Sequence, residues 1–286
     1  MKHLLNTLFI TSEDIYLSLD GENVVANRDG AAVARYPLHT LQSIVTFSYS
    51  GASPALMGAC AQRGIALTFL TAHGRFLARV EGAERGNVVL RKTQYRASDS
   101  EVASADIARA ILTGKLYNSR WVPERALRDH ALRLDAEEIR AASQEIAERL
   151  KQLQTAGDLD ALRGIEGEAA RRYFSALDQL ILQQKETFFF RERSRRPPTD
   201  PFNALLSFVY TLLSHDVAAA LQMAGLDPYV GFLHRDRPGR LSLALDLMEE
   251  LRPILADRFV LTLVNNRQVG EKGFARKENG AVLMDD

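Results

Sequence analysis

Near Arg96 the chain changes character, and no other feature restricts its fold as strongly. Before that point the sequence is a series of short β-branched and aromatic runs. Leu4–Ile10, Ile15–Leu19, Ile44–Phe47, Ile65–Leu70 and Arg75–Val80 are each four to seven residues long, and Asp20-Gly21, Asp29-Gly30 and His73-Gly74 supply turn signals among them. One short helix interrupts this series, opened by Ser53-Pro54, running through Ala61 and closed at Gly64. Many short strands with a single helix predict a small sandwich-like domain. After Arg96 the sequence turns rich in Ala, Leu, Glu and Arg, and Ser98, Asp99 and Ser100 are candidate helix caps. The fold class is therefore α+β and multi-domain: an N-terminal β-sandwich-like domain over residues 1–95, then a larger all-α domain over residues 96–286.

Within the second domain, helical texture runs to Gln154, breaks at Gly157-Asp158, and resumes from about Asp160 to Phe190. Residues 191–201 form a loop, because Pro197, Pro198 and Pro201 forbid helix there. Helix returns over Asn203–Met223 and again over about Leu241–Phe259, the last one kinked or broken near Pro253. No uninterrupted apolar run reaches the length of a membrane span. The single Cys60 sits among apolar neighbours and is read as a core residue. With no basic-then-apolar leader, these features lead us to expect a cytoplasmic protein that does not enter a membrane.

Two acidic clusters stand out. On a helical wheel of about 100° per residue, Glu166 falls in an apolar stripe with Leu162, Ala169, Ala170, Tyr173 and Leu177, whereas Glu168 falls on the opposite side with Arg171, Ser175 and Asp178. A carboxylate on an inward face needs a cation, a metal or a proton to hold. The plain alternative is a first-turn residue that favours the helix dipole. In the last helix, Asp246, Glu249 and Glu250 lie together opposite an apolar face of Ala244, Leu247, Met248, Leu251, Ile254 and Leu255. That pattern suits either a solvated face or carboxylates gathered around a cation. His234 ends the run Gly231-Phe232-Leu233-His234, and the loop after it leads straight into the acidic helix. An imidazole with carboxylates suits a divalent ion, and an oxygen-rich set favours Mg²⁺ or Mn²⁺ over structural Zn²⁺.

Lys plus Arg equals Asp plus Glu at 36 each, so bulk charge does not attract nucleic acid. Any DNA binding must come from local patches. Arg191, Arg193, Arg195 and Arg196 crowd one loop, and Arg235, Arg237 and Arg240 follow the histidine; both groups are candidate phosphate contacts. There is no Walker-type loop and no Ser/His/Asp or Cys/His arrangement.

Three stretches in order carry a resemblance. They are Leu162–Phe174 with its Ile165-Glu166-Gly167 core, Pro197–Ser207 followed by Tyr210, and Gly231–His234 followed by Ser242–Glu250. Together they resemble the CRISPR-associated integrase family, the DNA endonuclease of the spacer-adaptation module. Gly74 and the segment from Gly86-Asn87-Val88 to Arg91 and Gln94 also fit that family. The resemblance implies an N-terminal dimerisation domain, a helical catalytic domain, a homodimer, and a small ferredoxin-like CRISPR-associated partner protein. It implies Glu166, His234, Asp246 and Glu249 as the catalytic set, with Glu166, His234 and Glu249 holding the metal. Some relatives have Asp where this chain has Glu249, so Asp246 and Glu249 both stand as inner ligand, and Glu249 is preferred.

The implied chemistry inserts spacer-precursor DNA into a double-stranded repeat. A DNA 3′-hydroxyl attacks a phosphodiester, with the metal as Lewis acid. A ligating His234 must be neutral, so activity is expected to fall at acid pH. Two other readings are weighed: a metal-dependent DNA-repair nuclease that cuts without integrating, and a non-catalytic DNA-binding scaffold.

Overall fold

Short sequence signals place the elements of the first unit. The computed structural model describes residues 6–82 and 88–285. Compactness divides it into Met1–Arg85 and Gly86–Asp285. The first unit holds β1 (Thr7–Ile10), β2 (Tyr16–Asp20), β3 (Asn23–Arg28), β4 (Ala31–Pro37), β5 (Ser43–Thr46), α1 (Pro54–Arg63), β6 (Ala66–Leu70) and β7 (Phe76–Val80). One sheet has the order β1-β5-β6-β7, with β1, β5 and β6 parallel and β7 antiparallel; β2-β3-β4 form an antiparallel meander. Parallel β5 and β6 need a crossover, which α1 provides. The Ser53 side chain accepts from Leu56 N–H, Pro54 opens the first turn, and Gly64 closes it at φ 69°. Leu17, Val24, Ile44, Leu56, Cys60 and Leu67 are fully buried in one core shared by both sheets and α1, which is the expected sandwich-like layering.

The sequence reading named neither β3 nor β4. β4 is exposed along nearly its whole length, so its residues show no apolar alternation. Leu4 and Leu5 of the first expected strand, and Gly86 and Asn87 of the family-like segment, lie outside the described residues.

The second unit contains α2 (Val88–Ser98), α3 (Glu101–His130), α4 (Ala136–Leu153), α5 (Leu159–Leu177), α6 (Pro201–Met223), α7 (Ser242–Leu251), α8 (Arg258–Asn265), β8 (Phe274–Arg276) and β9 (Val282–Met284). Residues 88–95 thus belong to the helical unit and not to the N-terminal domain. Buried Gln94 is the reason: its amide donates to the carbonyls of Asp227 (2.8 Å) and Val230 (2.9 Å) and accepts from Asp227 N–H (2.9 Å). Nor is the unit purely helical, since β8 and β9 pair as a hairpin whose Val282 is buried and whose Phe274 packs edge-on to Phe188.

Two helical stretches end earlier than their composition implies. Asp135 caps α4 by accepting from the N–H groups of Glu137 and Glu138, which splits the 98–154 stretch in two. α5 stops at Leu177, and Phe188 and Phe190 lie in an irregular segment that fills the core beside Phe174 and Phe202. Composition cannot separate a buried aromatic loop from a buried helix. Between α7 and α8 the backbone widens into a π-helical turn over Arg252–Asp257, at the break expected near Pro253. α6 is long and apolar enough on average to cross a membrane, but it contributes Phe202, Leu205 and Leu206 to one buried cluster and Val217, Ala218 and Leu221 to another. It packs into buried clusters near both of its ends.

Candidate active site

Close helix packing brings the site together. A Cβ at Gly114 would overlap the carboxylate of Glu250 and lie 3.2 Å from that residue's Cβ, so α3 lies tight against α7 at this glycine. Asn118, one turn on, donates to the carbonyl of Glu250 at 2.7 Å and fixes the approach. Lys115 is thereby carried into the space between α5 and α7. Its ammonium pairs with Glu166 of α5 and lies 2.6 Å from Glu249 Oε2 of α7. On α5, Glu166 turns inward as the wheel indicates, while exposed Glu168 meets Arg149 at the surface.

The polar face of α7 is not solvated: Asp246 is 0% exposed and Glu249 4%. Their surroundings differ. Gly231 is pressed onto α7, where a Cβ would come within 2.9 Å of Asp246 Oδ2. That approach aims three consecutive backbone N–H groups at one carboxylate. Asp246 Oδ2 accepts from Phe232 (2.6 Å) and Leu233 (2.9 Å), and Oδ1 accepts from His234 N–H (2.9 Å). His234 Nδ1 is also 2.6 Å from Oδ1. A carboxylate already accepting three N–H bonds acts as acceptor there, so Nδ1 is the ring nitrogen that donates to it and Nε2 is the one turned away from Asp246. Both Asp246 oxygens are occupied. Asp246 therefore orients the imidazole, and Glu249 is the acidic residue of α7 that reaches the cleft. The sequence, which put Asp246 in the catalytic set and among the possible inner ligands, had no means of seeing this division.

Glu249 lies between two cations, with Arg252 Nη1 2.5 Å from Oε1 and Lys115 on Oε2. Burial alone would raise its carboxyl, but Lys115 and Arg252 overcome that and hold it below the usual range. Burial likewise works to lower the Lys115 ammonium, and Glu249 and Glu166 reverse it, holding it above its ordinary value. Beside the carboxylates opens a cleft of about 550 Å³, lined by Glu166, His234 and Glu249 together with Arg163, Arg235, Arg240, Asp160 and Leu233.

The two arginine groups separate. Arg235 and Arg240 line the cleft, and Arg237 is exposed beside them. In the 191–201 loop, Arg191, Arg195 and Arg196 are exposed, but Arg193 is an internal anchor and not a free DNA contact. It donates to Asn203 Oδ1 (2.8 Å) and Ser207 Oγ (3.0 Å), and its guanidinium lies 5.3 Å from the centre of the Tyr210 ring. The Pro197–Tyr210 motif thus supplies the framework that holds this arginine. Arg252 stacks on the same ring at 5.0 Å, which steadies the guanidinium that touches Glu249. Sequence reading missed Lys115, Asn118, Arg163 and Arg252. Only the Gly114-Lys115 pair in an Ala/Leu-rich helix gave a local hint, since a glycine there signals close packing.

Below Tyr210, Asp257 accepts from the hydroxyls of Tyr210 (2.6 Å) and Tyr173 (2.8 Å). Burial pushes its carboxyl up to about 6, against the lowering effect of both hydroxyls, Arg252 and Arg193. The folded value lies above the unfolded one, so the stabilising contribution is complete below about pH 4 and is lost as pH rises through the folded value. Relative to Asp257→Asn, the native protein should lose about 3 kcal/mol across that window. Urea unfolding of both proteins from acid to neutral pH checks this, and parallel profiles would contradict it.

In chemical type, though not in an already converged position, the donors are those a divalent ion takes. Two carboxylates from separate helices share one cation, and an oriented imidazole presents Nε2 to the same cleft. Among the described residues no three His, Cys, Asp or Glu side chains already converge on a single ion position. Lys115 stands between the two glutamates.

Comparison with known proteins matches residues 8–286 to the family model of CRISPR associated protein Cas1. The chain belongs to the Cas1 family. Relatives named CRISPR-associated endonuclease Cas1 are 53% identical in Rhodospirillum rubrum and 50% identical in Chlorobaculum tepidum, each match covering 100% of this chain and 83% of the relative. Solved structures share the fold at lower identity. A Cas1 protein from Thermotoga maritima has TM-score 0.80 at 24% identity, covering 99% of this chain and 86% of that one. A casposase bound to integration product has TM-score 0.79 at 24% identity, covering 98% and 79%. A Cas6-RT-Cas1–Cas2 complex has TM-score 0.75 at 23% identity, covering 100% of this chain and 31% of the matched chain. These Cas1-fold neighbours agree with the β-rich and helical order of the two units.

Proposed function

We propose that this Cas1-family chain is a metal-dependent DNA endonuclease and integrase that joins a DNA 3′-hydroxyl to a phosphodiester of a repeat. The observation that carries the reading is one arginine-rimmed cleft into which Glu166, Glu249 and an imidazole oriented through Asp246 all project. Glu166, Glu249 and His234 Nε2 are the residues that would hold Mg²⁺ or Mn²⁺. When bound, the ion supplies Lewis-acid stabilisation of charge on phosphate oxygens. The protein's own part is positional: Asp246 fixes the His234 tautomer, Arg252 holds Glu249, and Arg163, Arg235 and Arg240 offer donors to a DNA backbone. Arg163 is itself steadied by the Leu233 carbonyl at 2.7 Å and Asp160 at 2.7 Å.

Double-stranded DNA as spacer precursor and repeat, a homodimer, a small ferredoxin-like partner and a cytoplasmic setting complete the proposal. The endonuclease names of the relatives at 50% identity and above support the activity. The casposase bound to integration product and the Cas6-RT-Cas1–Cas2 complex, both of this fold, lend support to integration and to the partner. The test is joining of a labelled 3′-hydroxyl oligonucleotide into a supercoiled plasmid carrying the repeat, with Mn²⁺ and the partner protein present. Labelled plasmid is the expected product. Nicking without label transfer would favour a nuclease that does not integrate.

A further inference from the structure

We propose that Lys115 is the resident counter-ion of the Glu166–Glu249 pair, and that a divalent ion enters by displacing its ammonium. The inference rests on the metal reading above and adds to it a residue of this chain. Among the described residues, Lys115 is the one side chain that pairs with both glutamates, and it does so from a third helix with only 12% of its side chain exposed. Among the described residues, buried Glu249 Oε2 has this ion pair and no hydrogen-bond partner besides. Two carboxylates brought together without the ammonium would repel, and burial would add to the cost.

The two cations on Glu249 are built differently. Arg252 is pinned by the Tyr210 ring and reaches Glu249 alone. Lys115 carries a compact charge on a flexible stem, which can swing away without breaking a stack. A divalent ion brings two charges where the ammonium brings one, so it attracts the pair more strongly, against the cost of its own dehydration and of displacing the competitor. Lys115 acts through the two glutamates and is a positioning residue. It keeps the acidic pair assembled before the ion arrives and makes ion affinity lower than the bare pair would give.

Two measurements test this. Mn²⁺ binding, followed by the electron-spin signal of the free ion, is compared in the full-length native protein and Lys115→Met, along with melting temperature with and without Mn²⁺. Removing the competitor should tighten binding about tenfold or more. The variant should melt lower than the native protein without Mn²⁺ and recover more when the ion is added. In the native protein, acetylation of Lys115 by acetic anhydride, read by peptide mass spectrometry, should be slow without the ion and rise on adding Mn²⁺ at constant pH. If Lys115→Met does not fold, the labelling result decides alone. Equal affinity in the two proteins with unchanged Lys115 labelling would overturn the exchange and leave the metal reading standing. Absence of Mn²⁺ binding in the native protein would overturn both.

Discussion

Replacing Glu166 by glutamine is expected to abolish DNA joining, by about 10³-fold or more, while leaving the fold intact. The amide keeps an oxygen that can accept from Lys115, so packing of α5 against α3 survives and the melting temperature should change little. What is lost is one of the two charges that would hold the ion. Single-turnover joining at saturating DNA, measured beside Glu168→Gln, separates the two readings. The Glu168 variant should be unaffected, because Glu168 is exposed and pairs with Arg149 on the far side of the helix. Joining by Glu166→Gln within a few-fold of the native protein would sink its assignment and favour a scaffold without chemistry.

Asp246→Asn should damage both stability and ion binding. An amide in that position must turn its NH₂ towards one pair of N–H donors, either those of Phe232 and Leu233 or those of His234. Two donors then face a donor at a fully buried side chain, and the expected cost is about 3 kcal/mol in urea unfolding. His234 also loses the carboxylate that fixes its tautomer, which should weaken ion affinity by about 10 to 100-fold. A variant of native stability and native Mn²⁺ affinity would show that Asp246 does not orient the imidazole.

How far the chain could be read follows from the range of each interaction. Glu166 was separable from Glu168 because both lie on one helix, where 3.6-residue periodicity decides the direction of each. The capped ends of α1 and the break at Pro253 were visible for the same local reason. The wheel grouped Asp246 with Glu249 but could not show that the grouped face is buried, since its covering comes from α3 and the 231–234 loop. Lys115 precedes Glu166 by 51 residues, and no spacing rule connects them. Arg193 illustrates the opposite error: charge in a proline-rich loop suggests a free phosphate contact, yet Asn203, Ser207 and Tyr210 enclose it. The boundary at Arg85 rather than residue 95 was hidden because α2 joins its unit through Gln94 and distant carbonyls.

The most direct test of the central claim is a crystal structure of the protein soaked in Mn²⁺, with the ion located by its anomalous signal. The account predicts an ion bound by Glu166, Glu249 and His234 Nε2, Asp246 still on Nδ1, and the Lys115 ammonium moved off the carboxylates. An ion held by Asp246, or a cleft that stays without Mn²⁺ while Lys115 keeps both glutamates, would contradict it.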